Sequence, residues 1–140
     1  MGEYIEPERV QKGSGGAWVT TVKGPALLAI VSNFCGHCEA LKATLSNASR
    51  SRPLRAYFIS ADRKDAKTQN LMRDLDVTGV PDIYRVEPNG QLVPYKGKTD
   101  SESLLRHFGG SSSACHRWET RILPFALLVA LVIWFLLLRR

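Results

Sequence analysis

Cysteine is scarce in this chain, with three residues in 140. So low a density excludes a small secreted scaffold stapled by disulfides, and the odd count leaves one sulfur outside any internal pairing. Charge is modest too. Lys and Arg number 19 against 13 Asp and Glu, a formal +6, and charged residues make up 23% against 44% hydrophobic. That balance belongs to a globular domain with a real core and excludes a disordered chain. A multidomain enzyme or a large cofactor fold is excluded by length, since one compact domain takes roughly 100–200 residues. The opening Met1-Gly2-Glu3-Tyr4-Ile5-Glu6-Pro7-Glu8 lacks a basic n-region and an apolar run, so it does not read as a cleaved signal peptide. Glu6 stands where a myristoylation signal has Ser or Thr.

A nucleic-acid surface is not expected either. Arg50, Arg52, Arg55, Arg63, Lys64, Lys67 and Arg73 form a basic stretch, but Asp62, Asp65, Asp74 and Asp76 interrupt it and no aromatic stacking platform accompanies it. The stretch reads as a solvated face. Asn47-Ala48-Ser49 matches a glycosylation acceptor, a pattern short enough to arise by chance.

The chain does hold one long apolar run, the 17 residues of 122–138. At about 1.5 Å per residue they reach about 25 Å, near the lower limit for crossing a bilayer core. A helix apolar on all sides would otherwise need a large core around it, which the preceding residues cannot build along with a domain of their own. Trp134 and Arg139-Arg140 suit anchoring at an interface, and Pro124 falls in the first turn, where its missing N–H matters least. We therefore expect an N-terminal extension at 1–13, a domain at 14–108, a Gly/Ser-rich tether at 109–121 and a transmembrane helix at 122–138. With two residues after the span, the arrangement reads as a tail anchor with the domain facing the cytosol. The alternatives are the endoplasmic reticulum lumen or, for a viral chain, a virion membrane.

Within the domain, the unbroken apolar run 26–31 predicts a central strand buried on both faces. A helix follows from Gly36, with Ala40, Leu41 and Leu45 inward, and 50–53 ends it. A second strand is expected at 55–60. A polar helix at 64–75 turns Leu71, Met72 and Leu75 inward. The run 82–86 alternates as a strand, and Pro88-Asn89-Gly90 turns it back into 91–95. A closing helix at 101–108 faces Leu104, Leu105 and Phe108 inward. Trp18-Val19-Thr20-Thr21-Val22 has strand propensity, while Ser14 could instead cap a short helix; both readings stay open. Trp18 and Tyr84 read as core or groove aromatics, and His107 as a surface residue. The order predicts an α/β mixed sheet with helices on both faces.

Cys35-Gly36-His37-Cys38 follows the buried strand and opens the first long helix. At that position the Cys35 thiol is expected to be unusually acidic, because free N–H groups and the macrodipole favour an anion. His37 supplies a group whose cationic form stabilises the thiolate. Cys38 lies one turn further in and more buried. Cys35 is thus read as the attacking sulfur and Cys38 as the resolving one, forming a redox-active Cys35–Cys38 disulfide. The competing chemistry is zinc, with Cys115-His116 completing a tetrahedral set. A tether beside a membrane, with no second C-x-x-C, argues against it. Cys115 itself permits S-acylation or an intermolecular disulfide.

Together these features resemble the thioredoxin superfamily, and C-G-H-C resembles the active site of protein disulfide isomerases. Gly79-Val80-Pro81 resembles the family's cis-proline loop, 43 positions after Cys38, and the Asn89-Gly90 hairpin and Gly97 fit the same order. The resemblance implies a thioredoxin-like fold and a thiol-disulfide oxidoreductase acting on protein thiols and disulfides with a thiol redox partner. It implies no cofactor beyond the dithiol. It also places Phe34, Val80 and Pro81 at the substrate, with the Val80 backbone pairing to it. Three departures stand out. Ala29 occupies the place of a buried acid that serves proton transfer to the second cysteine. Phe34 replaces a Trp, and Glu39 stands where Lys is common, partly opposing thiolate formation. A histidine in the loop raises the reduction potential and so favours oxidation and isomerisation. The rival reading is a membrane-tethered adaptor that holds a partner around Phe34, Val80 and Tyr84 without turnover.

Overall fold

A strand whose side chains are apolar on both faces can be stable only between two covering layers, and the run 26–31 has both. The computed structural model describes residues 2–109. In chain order the elements are β1 (Glu3–Tyr4), a 3₁₀ turn (Pro7–Arg9), β2 (Val10–Lys12), β3 (Trp18–Thr20), β4 (Ala26–Val31), α1 (Gly36–Ser51), β5 (Ala56–Ser60), α2 (Ala66–Asp74), β6 (Asp82–Val86), β7 (Leu92–Pro94) and α3 (Ser101–Phe108). The main sheet runs β1-β5-β4-β6-β7. β1 and β4 pair with β5 in parallel, whereas β6 pairs antiparallel with both β4 and β7.

Alternation along β4 divides the core. Leu27, Ala29 and Val31 point to the face covered by α1 and α3, where Cys38, Leu41, Leu45, Leu104 and Phe108 meet them. Leu28 and Ile30 point the other way, against Ile59, Leu71 and Tyr84, under α2. All six β4 residues are at most 1% exposed. Burying each large aliphatic side chain contributes about 1.5–3 kcal/mol, so this strand is the most expensive part of the fold to disturb.

Several expectations are corrected here. The segment 1–13, read as an extension, supplies β1 and β2, and Ile5 and Val10 are buried. A two-residue edge strand with both side chains exposed leaves no periodic trace in sequence. The open question at 14–22 resolves as a strand. Ser14 lies in the turn of a β2–β3 hairpin, closed by the Gly13 N–H donating to the Ala17 carbonyl at 2.8 Å. On α1 the inward positions are Cys38, Leu41, Leu45 and Ala48, while Ala40 is exposed, since it falls off that helical stripe. On α2, Thr68 joins Leu71 in the core and Met72 is half-buried. The predicted hairpin turn forms as expected. Gly90 has φ 84° and lies so close to Thr20 that a Cβ would meet its carbonyl oxygen at 2.6 Å, so the turn needs glycine.

Among the described residues, no helix is long and apolar enough to cross a membrane. The expectations for 122–138, for the tether beyond its first residue, and for Cys115 and His116 lie outside the described residues.

Asp65 caps α2, accepting from the Thr68 N–H at 2.9 Å, and also accepts from the Arg63 Nε at 2.9 Å. These bonds, the Thr68 N–H first, hold its carboxyl at about 2 instead of the ordinary 3.8. A carboxyl lowered on folding contributes stability that is complete above its unfolded value and is lost as pH falls through its folded one. The urea midpoint is therefore expected to fall between about pH 4 and pH 2, and to fall less in Asp65→Asn, which keeps an uncharged cap. Equal pH slopes for the two proteins would remove Asp65 from this account.

Candidate active site

β4 ends at Val31 and α1 begins at Gly36, so four residues turn the chain from the sheet into the helix. Cys35 is the N-cap. Its backbone is extended, at φ −114° and ψ 111°, and its carbonyl accepts from the Cys38 and Glu39 N–H groups at 3.1 and 3.2 Å. The Cys35 Sγ accepts from the same Cys38 N–H at 3.2 Å. A helix start leaves N–H groups without partners and carries a partial positive charge, so this sulfur sits where negative charge is favoured. On its other side, the Cys35 thiol donates to the Val80 carbonyl at 3.5 Å.

Cys38 lies one turn on, at 0% exposure, among Leu27, Ala29, Leu41 and Ile83. Burial pushes its thiol up, and the neighbouring Cys35 sulfur adds to the shift. The Ser32 backbone N–H and the Lys42 ammonium oppose it only in part. Both sulfurs are free thiols in this structure.

The Val80–Pro81 peptide is cis, and the Val80 carbonyl that meets the Cys35 sulfur lies just before β6 starts. Phe34 is 92% exposed, leaving its ring free beside the half-buried Cys35. His37 is exposed on the first turn of α1. Gly36 has open space around its Cα, so packing does not demand glycine there. Glu39 is paired with Lys42 at 2.7 Å, and the Lys42 ammonium also stands 5.6 Å from the Tyr4 ring centroid. The acid read as opposing the thiolate thus has a cation of its own. Tyr84 is 4% exposed, with its hydroxyl donating to Asp82 at 2.7 Å. It is a core residue and is withdrawn from the groove assigned to the adaptor reading. Ala29 is buried in the apolar cluster that holds Cys38. Among the described residues, no group of three or more His, Cys, Asp or Glu side chains is placed to hold a metal ion.

A carboxylate that sequence reasoning missed stands at the root of the loop. Asp62, two residues beyond β5, accepts from the Ser32 hydroxyl at 2.5 Å and from the Asn33 N–H at 2.7 Å. The Ser32 Oγ in turn accepts from the Phe34 N–H at 3.1 Å. These bonds to Ser32 and Asn33 hold the Asp62 carboxyl below its ordinary range. In sequence it appeared only as one of several acids interrupting a basic stretch. The available signal was its place just past a parallel strand that neighbours β4.

Exposure and position separate the two sulfurs. Iodoacetamide at pH 8 is expected to label Cys35 at least about tenfold faster than Cys38, because the buried, raised thiol offers less thiolate and less access. Peptide mapping by mass spectrometry reads the two sites separately. Comparable labelling of both would contradict the geometry.

The thioredoxin family model matches residues 10–108, which takes in β2 through α3 and both site cysteines. Protein disulfide-isomerase from Hordeum vulgare is 28% identical over 79 residues, covering 56% of this chain and 15% of that protein. Protein disulfide isomerase-like 1-3 from Oryza sativa subsp. japonica is 30% identical over 78 residues, covering 56% of this chain and 14% of that protein. The matched region is therefore a small part of each of these longer relatives. Among solved structures, the thioredoxin domain of a thiol-disulfide oxidoreductase from Bacteroides vulgatus has the same fold. It matches with a TM-score of 0.50 at 16% identity, over 71% of this chain and 92% of that one. This chain belongs to the thioredoxin family, and its domain is similar to those of protein disulfide isomerases.

Proposed function

We propose that this chain is a membrane-anchored thiol-disulfide oxidoreductase that acts on protein substrates through Cys35 and Cys38. One observation carries the reading: the Cys35 sulfur caps α1, 3.2 Å from the Cys38 N–H, beside an exposed aromatic and the Val80 carbonyl. Similarity to protein disulfide isomerases supports the same chemistry.

In the reductive direction, the Cys35 thiolate attacks one sulfur of a substrate disulfide. That S–S bond breaks, and its electron pair leaves with the other substrate sulfur, which takes up a proton. Cys35 is now joined to the substrate. Cys38 then loses its proton and attacks the Cys35 sulfur, releasing the second substrate sulfur as a thiol. Two electrons have passed to the substrate and a Cys35–Cys38 disulfide remains, which a thiol redox partner resets. The same steps in reverse oxidise a substrate dithiol. His37 in the loop tilts the balance towards oxidation and isomerisation. Phe34, Val80 and Pro81 form the wall against which an extended substrate segment lies, with the Val80 backbone as its pairing edge. The apolar run at 122–138 makes a membrane the second partner.

An adaptor without turnover draws support from Ala29, which stands in the cluster around Cys38 where the resemblance implies a buried acid. Activity separates the two. Insulin reduction and ribonuclease refolding are expected to be accelerated by the 140-residue chain and to fall to the uncatalysed rate with Cys35→Ser. Cys38→Ser should accumulate mixed disulfides visible on non-reducing gels. Equal rates for the parent and Cys35→Ser would establish the adaptor instead.

The anchor has its own test. The chain should stay with membranes on alkaline extraction, and a variant lacking 122–138 should be released; release of both would refute anchoring.

A further inference from the structure

Three successive residues lead from β4 to Cys35, and all three are tied to one carboxylate. Asp62 accepts directly from the Ser32 hydroxyl and the Asn33 N–H, while Phe34 reaches it through the Ser32 Oγ. The anchor point is firm, because β4 and β5 are parallel neighbours in register from Leu27↔Ala56 to Val31↔Ser60, and the Ala61 N–H donates to the Val31 carbonyl at 2.8 Å. The segment following one strand is thus fastened to the segment following the other. Phe34, at 92% exposure, has no packing of its own to hold this loop. Without the carboxylate, the Asn33 N–H and the Ser32 hydroxyl would turn to water and the loop would gain freedom.

We propose that Asp62 is a positioning residue for the dithiol: by fastening Ser32 and Asn33 it fixes the approach to Cys35, so that the Cys35 sulfur stays at the start of α1, 3.2 Å from the Cys38 N–H. Asp62 acts through the loop and touches neither sulfur. Its negative charge, taken alone, disfavours an anion nearby, so geometry and charge pull the dithiol equilibrium in opposite directions. That opposition makes the idea testable. It rests on the exchange function assigned above only in its consequence for substrates, since the equilibrium can be read on the chain alone.

The experiment is the equilibrium between the Cys35/Cys38 dithiol and its disulfide in glutathione buffers, measured by acid quenching, alkylation and mass spectrometry on the 140-residue chain, Asp62→Ala and Asp62→Asn. Asn keeps the geometry, with its Oδ1 accepting from the Asn33 N–H and its Nδ2 donating to the Ser32 Oγ, but it removes the charge. Asp62→Ala loses both contacts. The loosened loop is expected to shift the equilibrium at least about fivefold towards the disulfide in Asp62→Ala, because the N–H groups no longer hold the reduced sulfur. Asp62→Asn should show no shift in that direction. Amide exchange of Cys38 gives a second reading, with protection reduced in Asp62→Ala and retained in Asp62→Asn. An Asp62→Ala equilibrium within twofold of the parent overturns the proposal, as does any result in which the two variants move together. A parent chain that equilibrates normally with glutathione yet fails to process protein substrates would refute the exchange function and leave this test intact.

Discussion

The free N–H groups at the start of α1 have to find an acceptor, and the chain supplies a sulfur. Everything else at this end of the domain follows from that requirement. The helix must start where a strand buried on both faces comes to an end, so its first turn emerges from the sheet with its N–H groups facing outward. The N-cap residue is Cys35, whose carbonyl and Sγ both face the Cys38 N–H. A serine or aspartate would be the common choice at such a position. Using a thiol converts a structural need into a reactive group. The loop before β6 completes the arrangement, with the Val80 carbonyl accepting from that sulfur at 3.5 Å.

How much of this was legible in the sequence depended on whether packing or pairing set each feature. β4 could be read directly, because an apolar run of strand length, with turn residues on both sides, suits the middle of a covered sheet. The closing helix, the hairpin at Asn89-Gly90 and the dithiol at a helix start were equally plain, since each is fixed by local chemistry. β1 and β2 were not. β1 owes its existence to neighbours far along the chain, Glu3 and Tyr4 pairing with Tyr57 and Phe58, while β2 is a three-residue strand held in a hairpin with β3. Ala40 looked inward only because a short window could not fix the phase of the helix, which Cys38, Leu41, Leu45 and Ala48 set together. The Ser32–Asp62 bond spans 30 positions, and neither residue carries a local mark of it. Tyr84 was ambiguous between core and groove until the strand alternation placed it on the α2 face.

The electrostatics of α1 are arranged in layers. Glu39 in the first turn is a favourable charge for a helix N-terminus but an unfavourable one for an anionic sulfur. Lys42 answers it from one turn below, paired at 2.7 Å, and stands against the Tyr4 ring on β1. Glu39 and Tyr4 together raise the affinity of Lys42 for its proton, so it stays charged. The N-terminal segment thereby bears on the helix that carries the dithiol, although it lies four strands away from β7 on the opposite edge of the sheet.

The second sulfur is governed by burial, and here the absence of an acid at Ala29 has a definite consequence. A carboxylate at that position would face Leu41, Ile83 and the other apolar members of the cluster, and an ionised group there would be held at a desolvation penalty of several kcal/mol. With Ala29 at that position, burial pushes the Cys38 thiol up. The groups that favour loss of its proton, the Ser32 N–H and the Lys42 ammonium, come from the loop and the helix. In the proposed exchange, attack by Cys35 draws on the Cys38 N–H already in place at the helix start. In the same proposed exchange, resolution by Cys38 has to overcome that burial, whereas the loop before Cys35 bears on the first sulfur.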